Sequence, residues 1–556
     1  MKLVECVPNF SEGKDLDKIN AITREIESTS NVFLLDVDPG ETTNRTVVTF
    51  IGTPESVLDA AFKAIKTASV VIDMREHQGA HSRIGATDVC PFVPVTGVTM
   101  DDCVKMAHEL GKKVAEELKI PVYLYEEAAQ KEIRKNLAVI RTGQYEGLSE
   151  KLKDPEWAPD YGEPVFNELS GATVIGAREF LIAYNINLNT SDRKLAHHIA
   201  LNLREQGRAK RDEEGNIIRD NEGKAIKIPG KFKEVKAVGW YIEDYRVAQI
   251  SINFTNYKIT PPHVVFDEAV KEAEAIGLRV TGSELVGLIP KEALLEAGRH
   301  YLKKQGKSYG IPEEELIRIA VLSLGLNDVA PFDPQKKIIE YQFKEFESSL
   351  VDLNLRKFTN ELSIDSPAPG GGSTAALCGA LSAALSSMVS NLTVGKKDYE
   401  NVWTSLTETA VQSQKLKDDL LYAVDLDTQA FNEVMTAMKM KKKTEEQIKL
   451  RNDAIEKSSK KATQVPLKVL ENCVQALELA KTVVLTGNKN SISDAGVAGL
   501  TAQAGAKGAY YNVLINLPGI EDKKFCSEIK GQANSLLKKA EKIAESIANI
   551  IDDHLK

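Results

Sequence analysis

The first part of the chain alternates between two apolar patterns, and the last part keeps only one of them. Short apolar runs such as 3–7 and 32–36 predict strands, and longer stretches such as 54–69, with one apolar face, predict helices. A second cycle of strands and helices begins near Gly171. After about residue 345 we expect long helices at about 351–362, 374–392, 404–440, 444–480, 491–517 and from 523 onward. The chain is therefore predicted to be multidomain, with two α/β subdomains followed by an all-α helical bundle.

Proline and histidine mark the same boundary near residue 345. Sixteen of the 20 prolines and seven of the 8 histidines precede it, and proline interrupts helices. We place the α/β subdomains at 1–178 and 179–330, a linker at 331–345, and the helical domain at 346–556. Within the second subdomain, residues 208–231 carry two turns rich in Asp, Asn and Gly, and predict an exposed β-hairpin.

Residues 366–395 carry no charged side chain, and this length could span a bilayer. Ser, Thr and Asn recur along the stretch and most other residues are Ala or Gly, whereas lipid-facing helices are richer in Leu, Ile and Phe. We therefore expect a helix buried inside a soluble bundle.

Composition excludes several classes of protein. Lys and Arg number 71 against 80 Asp and Glu, a net charge of −9, which gives no overall attraction to nucleic acid or to an anionic membrane. The six cysteines lie far apart without a Cys-x-x-Cys pair, which argues against a disulfide framework or a zinc knuckle. The first residues lack the apolar segment of a signal peptide, and we expect a cytoplasmic enzyme without a metal.

Two polar loops are candidates for chemistry in the first part. Residues 75–85 hold two histidines, two arginines and two glycines, which suits carboxylate recognition and proton transfer better than a plain solvated loop. Gly79, between His77 and His81, argues against a zinc pair. In the other loop, an aspartate within 36–40 is placed to orient a histidine, although a simple turn is the alternative.

The helical part has its own polar motifs. Residues 366–374 place three glycines at a helix start, which is an anion site or merely a flexible helix entry. Asp425 and Asp427 lie two positions apart on a helix, so only one of them can face a given site, and the spacing does not say which. The basic run 439–443 is either a solvated helix end or a site for a polyanionic tail.

Several longer motifs resemble known families. The segments 7–13, 44–47, 81–85, 157–160, 181–188, 201–207 and 282–290 resemble glutamate formimidoyltransferase, and 368–373, 424–427 and 509–517 resemble formimidoyltetrahydrofolate cyclodeaminase. Their order along almost the whole chain is that of the bifunctional formimidoyltransferase-cyclodeaminase family. The 208–231 hairpin is longer than the family usually shows, and the 439–443 run replaces a proline-bearing turn.

The resemblance implies specific roles. It makes His81 the transferase base, Asp38 the acid that supports this histidine, and Asp427, rather than Asp425, the cyclodeaminase acid. The folate-binding segment that it implies is Gly162, Glu163, Pro164, Val165, Phe166, Asn167, Glu168, Leu169, Ser170 and Gly171. Arg45, Arg75 and Arg83 are candidates to hold the two substrate carboxylates. Candidates for the cyclodeaminase pocket are Gly370, Gly371, Gly372, Ser373, Asn488, Asp494 and Asn512.

The implied function is a step in histidine degradation. The formimino group of N-formimino-L-glutamate passes to tetrahydrofolate, the co-substrate, which we expect in polyglutamylated form. Ring closure then gives 5,10-methenyltetrahydrofolate and ammonia. We expect a homo-oligomer, with no nucleic acid or membrane partner. Two alternatives are a transferase fused to a methenyltetrahydrofolate cyclohydrolase, and a folate-binding scaffold without turnover.

Overall fold

The computed structural model describes residues 2–41, 43–79, 82–220, 223–243, 245–342 and 350–556. Its contacts divide the chain into two compact units. The first contains residues 1–296 and 321–345, and the second contains 297–320 and 346–556. The predicted order of an α/β part followed by a helical part is confirmed.

The first α/β subdomain is a mixed sheet with helices packed on both faces. Its strands are β1 (Leu3–Cys6), β2 (Asn9–Phe10), β3 (Val32–Gly40), β4 (Arg45–Gly52), β5 (Thr87–Thr96), β6 (Val122–Glu126) and β7 (Thr173–Ala177). One face of the sheet packs against α1 (Leu16–Glu27), α2 (Pro54–Val71) and α3 (Met100–Leu118), and the other packs against the short helices α4 (Leu137–Ile140) and α5 (Leu148–Lys151). The strand order is β1-β4-β2-β5-β7-β6, with β3 added beside β4. Strands β5, β7 and β6 run parallel, and their neighbours run antiparallel.

The second α/β subdomain has a smaller antiparallel sheet. Its elements are β8 (Ile182–Leu188), α6 (Arg193–Leu203), β9 (Arg208–Ala209), β10 (Lys227–Ile228), β11 (Val235–Ile242), β12 (Val247–Phe254), α7 (Pro262–Ala275), β13 (Val280–Val286) and α8 (Lys291–Lys304). The sheet order is β11-β12-β8-β13. Strands β9 and β10 form the base of the predicted hairpin excursion.

The boundary of this subdomain differs from the predicted range 179–330. Residues 297–320 pack with the helical unit, because the carbonyl oxygen of Gly310 accepts hydrogen bonds from Ser387 (3.0 Å) and from Asn391 (2.8 Å). The chain then continues through α9 (Glu313–Leu324) and α10 (Pro334–Lys337). Proline content alone did not reveal that a segment of the first part packs on the bundle.

The helical unit is built from long helices with a core of small residues. These are α11 (Leu355–Ser363), α12 (Gly371–Thr393), α13 (Trp403–Met438), α14 (Glu445–Thr486), α15 (Ile492–Asn516) and α16 (Lys523–Leu555). A Cβ added at Gly379 or at Gly505 would come within 2.8 or 2.9 Å of the sulfur of Cys473. Glycine at these two positions therefore lets α12 and α15 approach α14 closely.

Within the described part of the chain, α12 is the one helix long and apolar enough to cross a membrane by length and composition. Its most apolar window is 56% buried inside the unit. The Ser, Thr and Asn residues that the sequence places along it include Ser382, Ser386 and Ser390, which have no exposed surface. This agrees with the predicted placement within a bundle.

A buried ion pair holds the loop that precedes β7. Arg134 has no exposed surface, and its Nη1 lies 2.7 Å from Oδ1 of Asp160, which is itself only 3% exposed at its side chain. Its Nη2 donates to the carbonyl oxygens of Glu156 and Ala158.

We expect Arg134→Met to lower the free energy of unfolding by about 3–5 kcal/mol, because it leaves the Asp160 carboxylate buried without a partner. Urea unfolding followed by tryptophan fluorescence measures this. Adding Asp160→Asn should restore part of the loss, since the amide oxygen can still accept the Leu124 N–H that now bonds to Asp160. A double variant less stable than Arg134→Met would contradict this explanation.

Candidate active sites of the two units

The two polar loops found in the sequence meet at one edge of the first sheet. Phe10 pairs with Thr46 at the start of β4 and with Thr87 at the start of β5, which brings these two strand ends side by side. The loops that precede β4 and β5 therefore lie next to each other. The gap before β5 contains the predicted base His81, which lies outside the described residues.

Arg45 and the predicted acid Asp38 occupy this edge. Asp38 is exposed on β3 and pairs with Val47. Arg45 is partly buried, and burial lowers the pKa of its guanidinium, as does the positive charge of Arg141. The negative charges of Asp88 and Asp38 raise the pKa of the same guanidinium. Arg45 therefore lies in a cluster of charges, where an anionic ligand would find a second cation nearby.

The other two predicted carboxylate ligands are engaged within the protein. The guanidinium of Arg83 is buried and donates from Nη2 and Nη1 to the two carboxylate oxygens of Glu146, at 2.6 and 2.9 Å. The exposed Arg75 pairs with Asp73, with 2.6 Å between Nη2 and Oδ2. The structure thus gives both arginines protein partners, which composition and spacing could not show.

The predicted folate segment 162–171 connects a surface pocket to the loop edge. Residues 162, 163 and 165–167 line a pocket of about 500 Å³, together with Lys112, Glu116 and Lys119 of α3 and its neighbouring turn. Further along, the carbonyl oxygen of Ser170 accepts the N–H of Ala86. The segment therefore ends against the loop that contains the predicted base.

A larger cavity of about 750 Å³ lies at the opposite edge, where β6 and β7 end. Its lining includes Glu126, Arg178, Arg204, Glu234 and Lys236, from both subdomains. These residues are dispersed over more than a hundred positions, so no sequence pattern predicted them as one site.

In the helical unit, Asp427 and the glycine-rich helix entry form one pocket. The pocket has a volume of about 430 Å³, and Gly370, Gly371, Gly372 and Asn512 line it with Asp427. A Cβ added at Gly372 would lie 2.1 Å from Oδ1 of Asp427, so the carboxyl group rests against the N-terminus of α12.

Burial raises the pKa of Asp427 above that of an ordinary aspartate. The Ser373 hydroxyl, 3.4 Å from Oδ2, and the Ser373 backbone N–H oppose this rise. A buried carboxyl group of raised pKa can donate and accept protons closer to neutral pH.

The structure separates the two aspartates that spacing could not distinguish. Asp425 is 7% exposed, and its Oδ1 accepts the backbone N–H of Leu350 at 2.6 Å. Asp427 alone of the pair lines the pocket. Asp425 therefore anchors the chain where it enters the helical unit.

Two predicted pocket residues, Asn488 and Asp494, do not line this pocket and lie at the other end of the bundle. Asn488 precedes α15, and its backbone N–H donates to the hydroxyl of Thr393, the last residue of α12. Asp494 is in the first turn of α15, whereas Asn512 is near its end. At 1.5 Å per residue, α12 places its two ends about 35 Å apart. Both residues therefore belong to the other end of the bundle.

One side of the Asp427 pocket is formed by apolar residues that were not predicted from the sequence. Phe431, Met435 and Met438 of α13 line it, and they follow Asp427 at intervals of four, four and three residues. That helical spacing marks a single face of α13 and could have identified them. The basic run 439–443 directly follows this face and is exposed.

Among the described residues, no group of three or more His, Cys, Asp or Glu side chains is arranged to hold a metal ion.

Known families cover both units. Residues 3–178 match the family model for the N-terminal subdomain of the formiminotransferase domain. Residues 183–344 match the model for the formiminotransferase domain, and residues 354–535 match the model for formiminotransferase-cyclodeaminase. The chain is 45% identical over 541 residues to formimidoyltransferase-cyclodeaminase of Rattus norvegicus, covering 97% of each chain. The chain belongs to the formimidoyltransferase-cyclodeaminase family.

Two shorter relatives each match a part of this chain. Glutamate formimidoyltransferase of Thermoplasma acidophilum is 43% identical over 312 residues, which is 56% of this chain and 95% of that protein. Methenyltetrahydrofolate cyclohydrolase of Methylorubrum extorquens is 40% identical over 193 residues, which is 35% of this chain and 93% of that protein.

Proposed function

We propose that this member of the family catalyses two consecutive reactions. The first transfers the formimino group of N-formimino-L-glutamate to N5 of tetrahydrofolate. The second closes the ring to 5,10-methenyltetrahydrofolate and releases ammonia. The observation that carries this proposal is the alignment of almost the whole chain, rather than one half, with a formimidoyltransferase-cyclodeaminase.

In the transfer step, His81 takes the proton of N5 as this nitrogen attacks the formimino carbon. The new N5–carbon bond forms, and the bond from that carbon to the glutamate nitrogen breaks. The imidazolium of His81 then returns the proton to the leaving nitrogen. Asp38 supports the histidine, and Arg45, within its cluster of charges, attracts a substrate carboxylate.

In the cyclisation step, N10 attacks the formimino carbon while the carboxylate of Asp427 accepts its proton. The formimino group reacts in its protonated, amidinium form: the N10–carbon bond forms, the bond from that carbon to the NH2 nitrogen breaks, and Asp427 returns the N10 proton to this nitrogen, which leaves as ammonia. The raised pKa of Asp427 supports this exchange, because the carboxyl group must gain and lose a proton in one cycle. Backbone N–H groups at the start of α12 offer a place for an anionic part of the folate.

We further propose, from the family resemblance alone, a cytoplasmic homo-oligomer that uses polyglutamylated tetrahydrofolate without a metal. The exposed basic run 439–443, beside the Asp427 pocket, is suited to attract such an anionic tail.

The second candidate for the helical unit comes from the methenyltetrahydrofolate cyclohydrolase among the relatives, whereas the relatives that match nearly the whole chain support ring closure. In this alternative the Asp427 pocket would hydrolyse the methenyl bridge. The non-catalytic scaffold is disfavoured, because Asp427 lines a pocket and burial raises the pKa of its carboxyl group.

Half-reactions distinguish these candidates. The full chain is given 5-formiminotetrahydrofolate in one assay and 5,10-methenyltetrahydrofolate in another, and the methenyl absorbance is followed. In the first assay we expect the methenyl absorbance to rise and ammonia to be released. In the second assay we expect the methenyl absorbance to decay no faster than it does without protein. Enzymatic loss of absorbance in the second assay without ammonia in the first would favour the cyclohydrolase.

A further inference from the structure

A chain of hydrogen bonds runs from Glu146 through Arg83 to His77. Nε of Arg83 lies 3.1 Å from Nδ1 of His77. On the other side of the ring, Nε2 of His77 lies 2.8 Å from the carbonyl oxygen of Asn44. The two histidine nitrogens therefore face one donor and one acceptor.

These partners fix both the tautomer and the charge of His77. An arginine Nε–H can only donate, so Nδ1 must accept and carry no proton. The carbonyl of Asn44 can only accept, so the ring proton is on Nε2. A protonated His77 would place a second N–H against that of Arg83. The network therefore requires neutral His77.

The electrostatic surroundings favour the neutral form. Burial is the largest influence and lowers the pKa of His77, and the charge of Arg83 acts in the same direction. The bond to Asn44 and the carboxylates of Glu12 and Glu146 oppose it. His77 thus stays neutral to lower pH than an ordinary histidine does.

Further contacts hold the start of the segment 77–83 against the loop before β4, at Thr43 and Asn44. The side chain of Asn44 donates to the carbonyl oxygen of Gln78 at 2.8 Å and accepts the N–H of Gly13 at 2.9 Å. A Cβ added at Gly79 would lie 2.2 Å from the carbonyl oxygen of Thr43. This contact leaves no room for a side chain at position 79.

The other end of the segment is fixed as well. Besides Arg83, the backbone N–H of Ile84 bonds to Oδ1 of Asp88, which has no exposed surface, at 3.0 Å. The predicted base His81 thus lies in the sequence between two anchored ends.

We propose that His77, Arg83 and Glu146 are positioning residues for formimino transfer, which hold the segment containing His81 only while His77 is neutral. This inference rests on the proposed transferase reaction. It assigns Arg83 to the protein's own loop instead of to a substrate carboxylate.

The test compares Arg83→Gln with Arg24→Gln, at an exposed arginine of α1, in the full chain, by glutamate release from N-formimino-L-glutamate and tetrahydrofolate. For Arg83→Gln we expect kcat to fall by about 10²-fold, as for a misplaced catalytic group, with KM for formiminoglutamate within about threefold of wild type. Arg24→Gln, a change of an exposed arginine without a proposed role, should leave both constants unchanged. Cyclisation of supplied 5-formiminotetrahydrofolate should be normal in both, which controls for the helical unit, and an unchanged thermal unfolding midpoint controls for folding of the α/β unit.

A raised KM with normal kcat for Arg83→Gln would show that Arg83 binds substrate, and would overturn the proposal. A wild-type chain without any transfer would instead refute the proposed function, and this inference would fall with it.

The pH profile gives a readout that a purely structural role would not change. Protonation of both His77 and His81 should make log kcat for transfer fall on the acid side with a slope approaching two. His77→Gln can still offer one donor and one acceptor but does not titrate, so its slope should be one, with kcat near neutral pH above that of His77→Ala. An unchanged acid slope in His77→Gln would contradict the requirement for neutral His77.

Discussion

Asp427→Asn should slow cyclisation of 5-formiminotetrahydrofolate by about 10²–10⁴-fold while leaving formimino transfer unchanged. The amide has nearly the same shape and keeps the Ser373 contact, but it can neither take the N10 proton nor protonate the departing nitrogen. Ammonia release from supplied 5-formiminotetrahydrofolate measures the first effect, and glutamate release measures the second.

The same substitution should not destabilise the helical unit. Since burial raises the pKa of Asp427, the folded state disfavours the ionised form. Below the unfolded-state pKa the group is protonated in both states and does not affect stability. As the pH rises from the unfolded-state pKa to the folded-state pKa, the free energy of unfolding falls, and above the folded-state pKa the whole cost of burying the carboxylate is present. At neutral pH a neutral amide removes this cost, and thermal unfolding should show an unchanged or higher midpoint.

Asp425→Asn is the matched control, since it makes the same chemical change two residues away. Its amide oxygen can still accept the Leu350 N–H, and the residue does not line the pocket. We expect cyclisation within about threefold of wild type, because no proton transfer is lost. If Asp425→Asn lost cyclisation and Asp427→Asn retained it, the two assignments would have to be exchanged.

His81→Ala should abolish glutamate release, with a loss of about 10²–10⁴-fold, because no other group is proposed to move the proton of N5. Cyclisation of supplied 5-formiminotetrahydrofolate should proceed at the wild-type rate. Substituting this residue thus tests whether the two reactions use separate sites.

The matched control for this variant is His108→Ala, at a histidine of α3 that bonds to the hydroxyl of Tyr161 and has no proposed role. It should retain both activities. Loss of both reactions in His81→Ala, or normal transfer, would contradict the division of labour between the two halves.

Local patterns predicted the elements because each is encoded by its own residues. The strand at 3–7 corresponds to β1, and the proline-poor stretches correspond to α12 through α16. The placement of residues 297–320 was not predictable in this way, since it depends on contacts of Gly310 with residues about 80 positions away. Such packing leaves no periodic signal in the sequence.

The candidate sites were predictable from the sequence only in part. The glycine entry and Asp427 meet in one pocket because α12 and α13 are adjacent antiparallel helices. Asn488 was misassigned because a polar residue at a helix start has the same composition whether it lines a site or caps a helix. The partners of Arg83 could not be inferred, since Glu146 lies 63 residues further along.

The central claim is that one chain performs both reactions in sequence. The most direct measurement mixes the full chain with N-formimino-L-glutamate and tetrahydrofolate, and follows glutamate, ammonia and the absorbance of 5,10-methenyltetrahydrofolate together. We expect all three products in equal amounts. Glutamate release without ammonia, or no release of either, would contradict the account.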